Sequence, residues 1–193
     1  MKLGYFTMPL HPPTRNYTET LKEDREAILL AEKLGYVEAF IGEHVTDLAE
    51  SITSSLVFIA SLAHLTTRIK LGSGTLNLPN NHPAAVASQV AMLDHMLEGR
   101  FLFGISPGGL RSDAEAFGNL DADRTAMFVE SIDMVLKLWS SPPPYNLEGK
   151  FWKVSTARTL DIEIGQGVLV KPYQLPHPPI VVTVTAPFSK EIG

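Results

Sequence analysis

The order of apolar segments along the chain constrains its fold more than any other feature. Short apolar runs, such as residues 3–7, 101–106 and 180–184, alternate with longer segments whose apolar residues recur every three or four positions. The short runs predict buried strands, and the longer segments predict amphipathic helices between them. This alternation is typical of an α/β protein with a parallel sheet.

Turn signals and periodicity place the elements. The predicted core strands span residues 3–7, 37–42, 69–76, 101–106 and 180–184. Thr20 and Glu23 have capping-box spacing and predict the start of the first helix, and Pro83 suits the first position of another. Residues 142–144 are three prolines, and the segment after them reads as short strands separated by glycines. We therefore expect a single domain over residues 1–193, with a β-rich insertion at about 142–176.

Two parallel α/β architectures compete, an open doubly wound sheet and a (β/α)₈ barrel. A dinucleotide-binding open sheet carries G-x-G-x-x-G after its first strand. The corresponding turn here, residues 8–13, contains no glycine, and Gly72 and Gly74 lie inside the third predicted strand without a third partner. The pattern favours an incomplete barrel of about five strands, since a whole barrel takes about 250 residues.

Composition excludes several classes of function. The formal net charge of -5 argues against a nucleic-acid-binding protein. The chain has no cysteine, so we expect no disulfide and no thiolate site. None of its histidines has the spacing of a metal site, and we predict no metal. No apolar run approaches the roughly 20 residues of a membrane span, and the apolar N-terminus is too short for a signal peptide, so we expect a cytoplasmic protein.

Several short motifs follow one another in a fixed order. They are Gly42-Glu43-His44, Leu78-Pro79, His82-Pro83, the segment LDHMLEGRF at 93–101, FGISPG at 103–108, KPYQ at 171–174 and HPPI at 177–180. In this order and spacing they resemble the bacterial luciferase-like family of flavin-dependent monooxygenases, especially its limonene-monooxygenase-like members. The resemblance extends from the first residue to the last.

The resemblance implies a TIM barrel with an insertion before the fifth strand. It implies reduced FMN as cofactor, delivered by a separate flavin reductase, with O₂ as co-substrate and an apolar organic molecule as the substrate that receives one oxygen atom. A homodimer is common in this family. Active sites of such barrels lie at the C-terminal ends of the strands, where His44, Thr75, Ser106 and Thr185 are predicted to lie.

The resemblance makes His44 and Ser106 the candidate catalytic residues. Imidazole can donate and accept a proton near neutral pH, as oxygen chemistry on a flavin requires; the alternative for His44 is a structural histidine in a loop. Ser106 occupies the place of a small residue beside the reactive flavin carbon, or else is small only for packing. Glu43 either orients His44 or closes a buried salt bridge. The family often has a second histidine where this chain has Val45.

The resemblance also assigns the cofactor contacts. Gly74 and Thr75 lie where the family has a non-proline cis peptide under the flavin ring; the alternative is an ordinary strand with a glycine bulge. Thr185, Ala186 and Ser189 occupy its phosphate-binding turn, although a serine near a helix start is also a common cap. Three further residues remain open:
Asn77 as a contact to the ring or substrate or as a turn cap, His11 at the substrate mouth, and Arg111 either as a solvated side chain or in place of the arginine that luciferase has where this chain has Pro107.

Two other functions remain open on the same scaffold. One is a truncated, non-catalytic flavin-binding or interaction protein. The other is an oxidoreductase that uses FMN or a deazaflavin without transferring oxygen.

Overall fold

A parallel sheet with outer helices forms the body of the protein, and the computed structural model describes residues 1–183 of it. The strands of this sheet are β1 (Gly4–Thr7), β2 (Glu38–Ile41), β3 (Lys70–Ser73), β4 (Leu76–Asn77), β5 (Phe101–Ser106) and β8 (Ile180–Val182). All neighbouring strands pair in parallel, in the order β1, β2, β3, β5, β8. β4 pairs with the end of β5 beyond β3, so β3 and β4 are two segments of one barrel strand. The predicted parallel α/β fold is confirmed.

Helices connect these strands and cover the sheet. They are α1 (Tyr17–Lys33), α2 (Ser55–Leu62), α3 (Pro83–Met96), α4 (Arg111–Ala116) and α5 (Arg124–Ser140), with a 3₁₀ turn at Leu78–Asn80. After α5, β6 (Asn146–Glu148) and β7 (Lys153–Ser155) form an antiparallel hairpin. The hairpin lies in the segment predicted to be β-rich.

Two boundaries and one helix differ from the predictions. α1 begins at Tyr17 because the side chain of Asn16 accepts a hydrogen bond from the backbone N–H of Glu19; the capping box at Thr20 was wrong, and its hydroxyl donates to the Tyr17 carbonyl instead. The third strand is not continuous, since the peptide bond between Gly74 and Thr75 is cis and separates β3 from β4. α4 was not predicted at all.

The close approach of β3 and β5 depends on Gly104. A Cβ atom at this position would lie 1.8 Å from the carbonyl oxygen of Ser73. The Ser73 hydroxyl donates to the Gly104 carbonyl at 2.7 Å and accepts from the Gly104 N–H at 3.0 Å. Because every residue of β5 is buried, a side chain here has no free space to enter, so glycine is required.

Charged side chains hold the loops together at the N-terminal edge of the sheet. Arg100 donates to the carbonyls of Ala63, Thr66 and Ile69, which lie between α2 and β3. The fully buried carboxylate of Asp94 accepts from the backbone and side-chain nitrogens of Gln174, both at 2.7 Å. The motifs before β5 and β8 therefore pack directly on each other. This contact explains why the chain carries both motifs.

Candidate active site

A cleft of about 460 Å³ opens at the C-terminal ends of the strands. Residues from each barrel strand and the loops beyond them line it: Phe6, Met8, Glu43, His44, Gly74, Thr75, Asn77, Ser106, Gly109, Leu110 and Thr183. It brings together four of the predicted site residues, His44, Gly74, Thr75 and Ser106. The others, Thr185, Ala186 and Ser189, lie outside the described residues.

A second hollow, of about 500 Å³, lies between α1 and α2. Its wall contains Leu21, Val57 and Phe58 together with Lys22 and Arg25, and no histidine or carboxylate. None of its lining residues belongs to a strand, whereas parallel barrels place their chemistry at the strand ends. The cleft, with its imidazole and carboxyl groups, is therefore the candidate active site.

His44 follows β2 and lies between two carboxylates. Its Nδ1 is 3.2 Å from Oδ2 of Asp113, and its Nε2 is 3.5 Å from Oε2 of Glu50. The side chain is 17% exposed, so the ring is partly open to a ligand. A carboxylate beside Nδ1 favours the tautomer or charge state with a proton on that nitrogen. Nε2 then remains as the nitrogen that can exchange a proton.

Asp113 reaches His44 because α4 packs beside the loop that follows β2. Burial alone would raise the pKa of Asp113, but hydrogen bonds from the Thr46 hydroxyl, His44 and the N–H groups of Thr46 and Val45 hold it below its usual range. Asp113 is therefore an anion at neutral pH. It fixes both the histidine ring and the backbone of the following loop.

Glu50 belongs to the same irregular loop as His44. Burial raises its pKa, the neighbouring His44 opposes that shift, and the charges of Asp47 and Asp113 add to it, so that the pKa lies above its usual range. Its Oε2 atom is buried and accepts no hydrogen bond from the part of the chain that the structure describes.

Sequence patterns gave no signal for Asp113 or Glu50. Asp113 is 69 positions from His44 and lies on a six-residue helix. Glu50 stands in a segment without periodicity. The one sequence feature that could have indicated α4 is Gly118, a possible helix-ending glycine. Its φ of 68° is positive in the structure.

Glu43 does neither of the things predicted for it. Its Oε2 accepts from the N–H and hydroxyl of Ser55 at 2.8 and 2.7 Å, and Oε1 accepts from the Asn77 N–H at 3.4 Å. Within residues 1–183 it has no ion-pair partner and no hydrogen bond to His44. Burial raises its pKa, although these hydrogen bonds work in the opposite direction. Glu43 therefore holds the start of α2 and the strand β4 against the end of β2.

Ser106 is the centre of a hydroxyl network on the cleft wall. The Thr75 hydroxyl donates to Ser106 Oγ at 2.7 Å, and Ser106 donates to Asn77 Oδ1 at 2.8 Å. The Gly108 N–H also donates to Ser106, at 3.1 Å. The Asn77 side chain makes no capping bond to its turn, so interpreting it as a turn cap was wrong. The cis peptide predicted between Gly74 and Thr75 is present beside this network.

Two of the residues left open by the sequence lie away from the cleft. His11 does not line the cleft, because its Nε2 lies 2.8 Å from Oδ1 of the buried Asp24. Arg111 is exposed at the start of α4. Arg124 instead reaches the loop after β5, and its Nη2 donates to the Pro107 carbonyl at 2.7 Å. The arginine that supports this loop therefore comes from α5.

Two features are absent from residues 1–183. No group of three or more histidine, aspartate or glutamate residues is arranged to hold a metal ion. None of the helices in this part of the chain is both long enough and apolar enough to cross a membrane.

Comparison with known proteins gives a consistent result. The model of the luciferase-like monooxygenase family matches residues 1–193. The chain is 34% identical over 158 residues to 4-hydroxyprotoasukamycin monooxygenase of Streptomyces nodosus subsp. asukaensis, covering 82% of this chain and 43% of that protein. It is 35% identical over 135 residues to limonene 1,2-monooxygenase of Rhodococcus erythropolis, covering 70% and 35%.

A solved structure shows the same architecture. The oxygenating constituent of 3,6-diketocamphane monooxygenase from Pseudomonas putida, in complex with FMN, superimposes with a TM-score of 0.84 at 28% identity, covering 94% of this chain and 51% of that one. The chain thus spans about half the length of this relative, or less for the two curated ones. With the parallel sheet, the cleft at its C-terminal edge and a family model that matches throughout, the chain belongs to the luciferase-like monooxygenase family.

Proposed function

We propose that the protein acts as an FMN-dependent monooxygenase that transfers one oxygen atom from O₂ to an apolar organic molecule. A separate flavin reductase supplies reduced FMN, and the working form is a homodimer. The observation that carries the proposal is the His44–Asp113 pair in the cleft of a chain that belongs to this family.

The cleft has the properties that a flavin ring requires. Phe6, Met8 and Leu110 provide apolar wall, and the Ser106 network provides polar groups within the same cavity. Ligand sites commonly combine a mostly apolar lining with a few placed polar groups. Gly74 and Thr75 would face the ring, and Thr185, Ala186 and Ser189 would hold the phosphate. Reduced FMN, when bound, supplies the electrons that activate O₂.

The protein's own contribution is proton control and exclusion of water. Asp113 keeps a proton on Nδ1 of His44, so that Nε2 is the atom that gives or takes a proton in the cleft. Ser106 holds Thr75 and Asn77 in one arrangement, which fixes the polar side of the cavity. The apolar wall suits a substrate without charge; the relatives named for limonene and diketocamphane support this class.

Oxygen transfer to a defined substrate tests the proposal. The protein is mixed with FMN, NADH and a flavin reductase, and limonene and 3,6-diketocamphane are supplied as probes. We expect substrate-dependent O₂ uptake and a product heavier by one oxygen atom, identified by mass spectrometry with ¹⁸O₂. His44→Asn should lose the product, whereas His64→Asn, a change at an exposed histidine, should keep it.

Two results would contradict the proposal and support the alternatives. Binding of FMN without any oxygenated product from the probes would indicate a non-catalytic flavin-binding protein. Turnover with a deazaflavin but not with FMN would indicate an oxidoreductase that does not transfer oxygen.

A further inference from the structure

Glu50 and His44 line two neighbouring cavities and contact each other between them. His44 lines the cleft. Glu50 instead lines a separate surface hollow of about 480 Å³, together with Tyr17 and residues of the loop after β2. The two side chains meet between these cavities, with Nε2 of His44 at 3.5 Å from Oε2 of Glu50. The pair is therefore a point of contact between the candidate active site and the outer surface.

The contact leaves one oxygen of Glu50 without a hydrogen-bond donor. Oε2 is buried and has no hydrogen-bond donor within residues 1–183, and a buried carboxylate oxygen without a donor is unfavourable. The atom facing it is Nε2 of His44, which donates only when it carries a proton. The other ring nitrogen already faces Asp113. At 3.5 Å the two atoms form an ion-pair contact but no hydrogen bond, so a slightly closer approach would let one proton serve both groups.

We propose that Glu50 is a positioning residue that shares one proton with Nε2 of His44 and exchanges it with water in the outer hollow. In the transfer, the O–H bond of the Glu50 carboxyl group breaks as an N–H bond forms on Nε2, leaving a carboxylate and an imidazolium. A hydronium ion in the hollow then gives its proton to the Glu50 carboxylate and becomes water, so that the pair as a whole takes up one proton. The use of this proton in catalysis rests on the proposed function, whereas the shared proton itself does not.

The surrounding charges are consistent with this assignment. Burial of Glu50 raises its pKa, which brings carboxyl and imidazole closer in proton affinity. The groups that face the pair are Asp113 from α4, Asp47 from the same loop and Glu43 from the end of β2, and Arg124 acts on Asp113 from α5. Glu50 is thus the acid on the Nε2 side, while Asp113 occupies the Nδ1 side.

Titration of His44 by NMR in the protein without FMN or substrate tests the shared proton. The His44 ring signal, assigned by its loss in His44→Asn, is followed against pH. In Glu50→Gln the midpoint should fall by about one pH unit, since a carboxylate this close stabilises the imidazolium by that order. Glu50→Asp keeps the charge and should recover part of the shift. Glu115→Gln removes an exposed carboxylate from α4 and should leave the midpoint unchanged.

Exchange of the Nε2 proton with water, measured on the same ¹⁵N-labelled samples, tests the route through the hollow. We expect several-fold slower exchange in Glu50→Gln than in the wild type or Glu115→Gln. An unchanged midpoint in Glu50→Gln, equal shifts in Glu50→Gln and Glu50→Asp, or unchanged exchange would each overturn the proposal. Because neither measurement needs turnover, a protein that shows the shift but no oxygen transfer would refute the proposed function and leave the proton-sharing pair intact.

Discussion

The two edges of the sheet use charged residues in opposite ways. At the N-terminal edge, Arg100 donates to several partners, and Asp94 accepts two hydrogen bonds from Gln174. At the C-terminal edge, Oε2 of Glu50 has no donor within the described residues, and His44 faces carboxylates at 3.2 and 3.5 Å. Charges with all their partners hold loops in place, whereas incompletely satisfied ones remain free to exchange protons. The comparison assigns stability to the first edge and chemistry to the second.

The largest expected effect lies at the C-terminal edge. Replacing His44 by Asn removes the proton-exchanging group, so turnover should fall by about 10²–10³-fold, the usual contribution of general acid–base catalysis. The free energy of unfolding in urea should change by less than about 1 kcal/mol, since the side chain is not part of the core. The same change at the exposed His64 should affect neither quantity. Normal turnover in His44→Asn would show that this edge has no chemical role.

The reverse pattern is expected at Arg100. Arg100→Met leaves three backbone carbonyls without their donor, so the free energy of unfolding should fall by about 2–4 kcal/mol. The NMR signal of His44 should stay where it is, because the cleft lies at the opposite edge. Arg158→Met, at an exposed position, is the matched control. A change in the His44 signal as large as that in unfolding would show that the edges are coupled.

Asp113 should contribute to both stability and chemistry, although it lies at the C-terminal edge. It accepts from the His44 ring and also from the N–H groups of Val45 and Thr46. Asp113→Asn should therefore lower turnover by about tenfold, through loss of the Nδ1 partner, and also lower stability by about 1–2 kcal/mol. Asp121→Asn, a neutralised exposed acid nearby, should do neither. Loss of activity with unchanged stability would mean that Asp113 serves only the histidine.

The buried strands and the helices packed on them are the part of the fold that the sequence predicted best. The wholly buried segment Phe101–Ser106 and the helix beginning at Pro83 lie where the patterns placed them, because burial and a fixed proline φ act locally. The start of α1 was misplaced, since Asn16 and Thr20 are both acceptable caps and only the packing of the helix selects between them.

The candidate site was only partly predictable for a related reason. His44, Thr75 and Ser106 stand at strand ends, which the strand pattern locates. Asp113 and Glu50 come from a short helix and an irregular loop, and only the folded chain brings them to His44. Arg124 likewise reaches the Pro107 carbonyl from α5, although Arg111 is nearer in sequence. Contacts between distant segments leave no periodic signal.

The smallest expected effect separates two carboxylates by the direction of their pKa shifts. Burial would raise the pKa of Glu32, but hydrogen bonds from the N–H groups of Ile69, Arg68 and Thr67 and the charge of Arg68 hold it below the usual 4.5. Glu32 thus contributes stability that is full above that value and lost as the pH falls through its lowered pKa. Glu50 has a raised pKa, so its ionisation costs stability as the pH rises through that pKa.

Urea unfolding of Glu32→Gln and Glu50→Gln, measured against the wild type from about pH 7 to pH 3, reads the two signs. Glu32→Gln should be less stable at pH 7, by up to about 1 kcal/mol because the group is partly exposed, and the deficit should shrink below about pH 4.5. Glu50→Gln should be as stable as the wild type or more so at pH 7, and should lose that advantage in acid. The matched pair makes the sign decisive. If both variants lost stability at pH 7 and recovered it in acid, Glu50 would be a structural anchor like Glu32, and the division between the two edges would fail at Glu50.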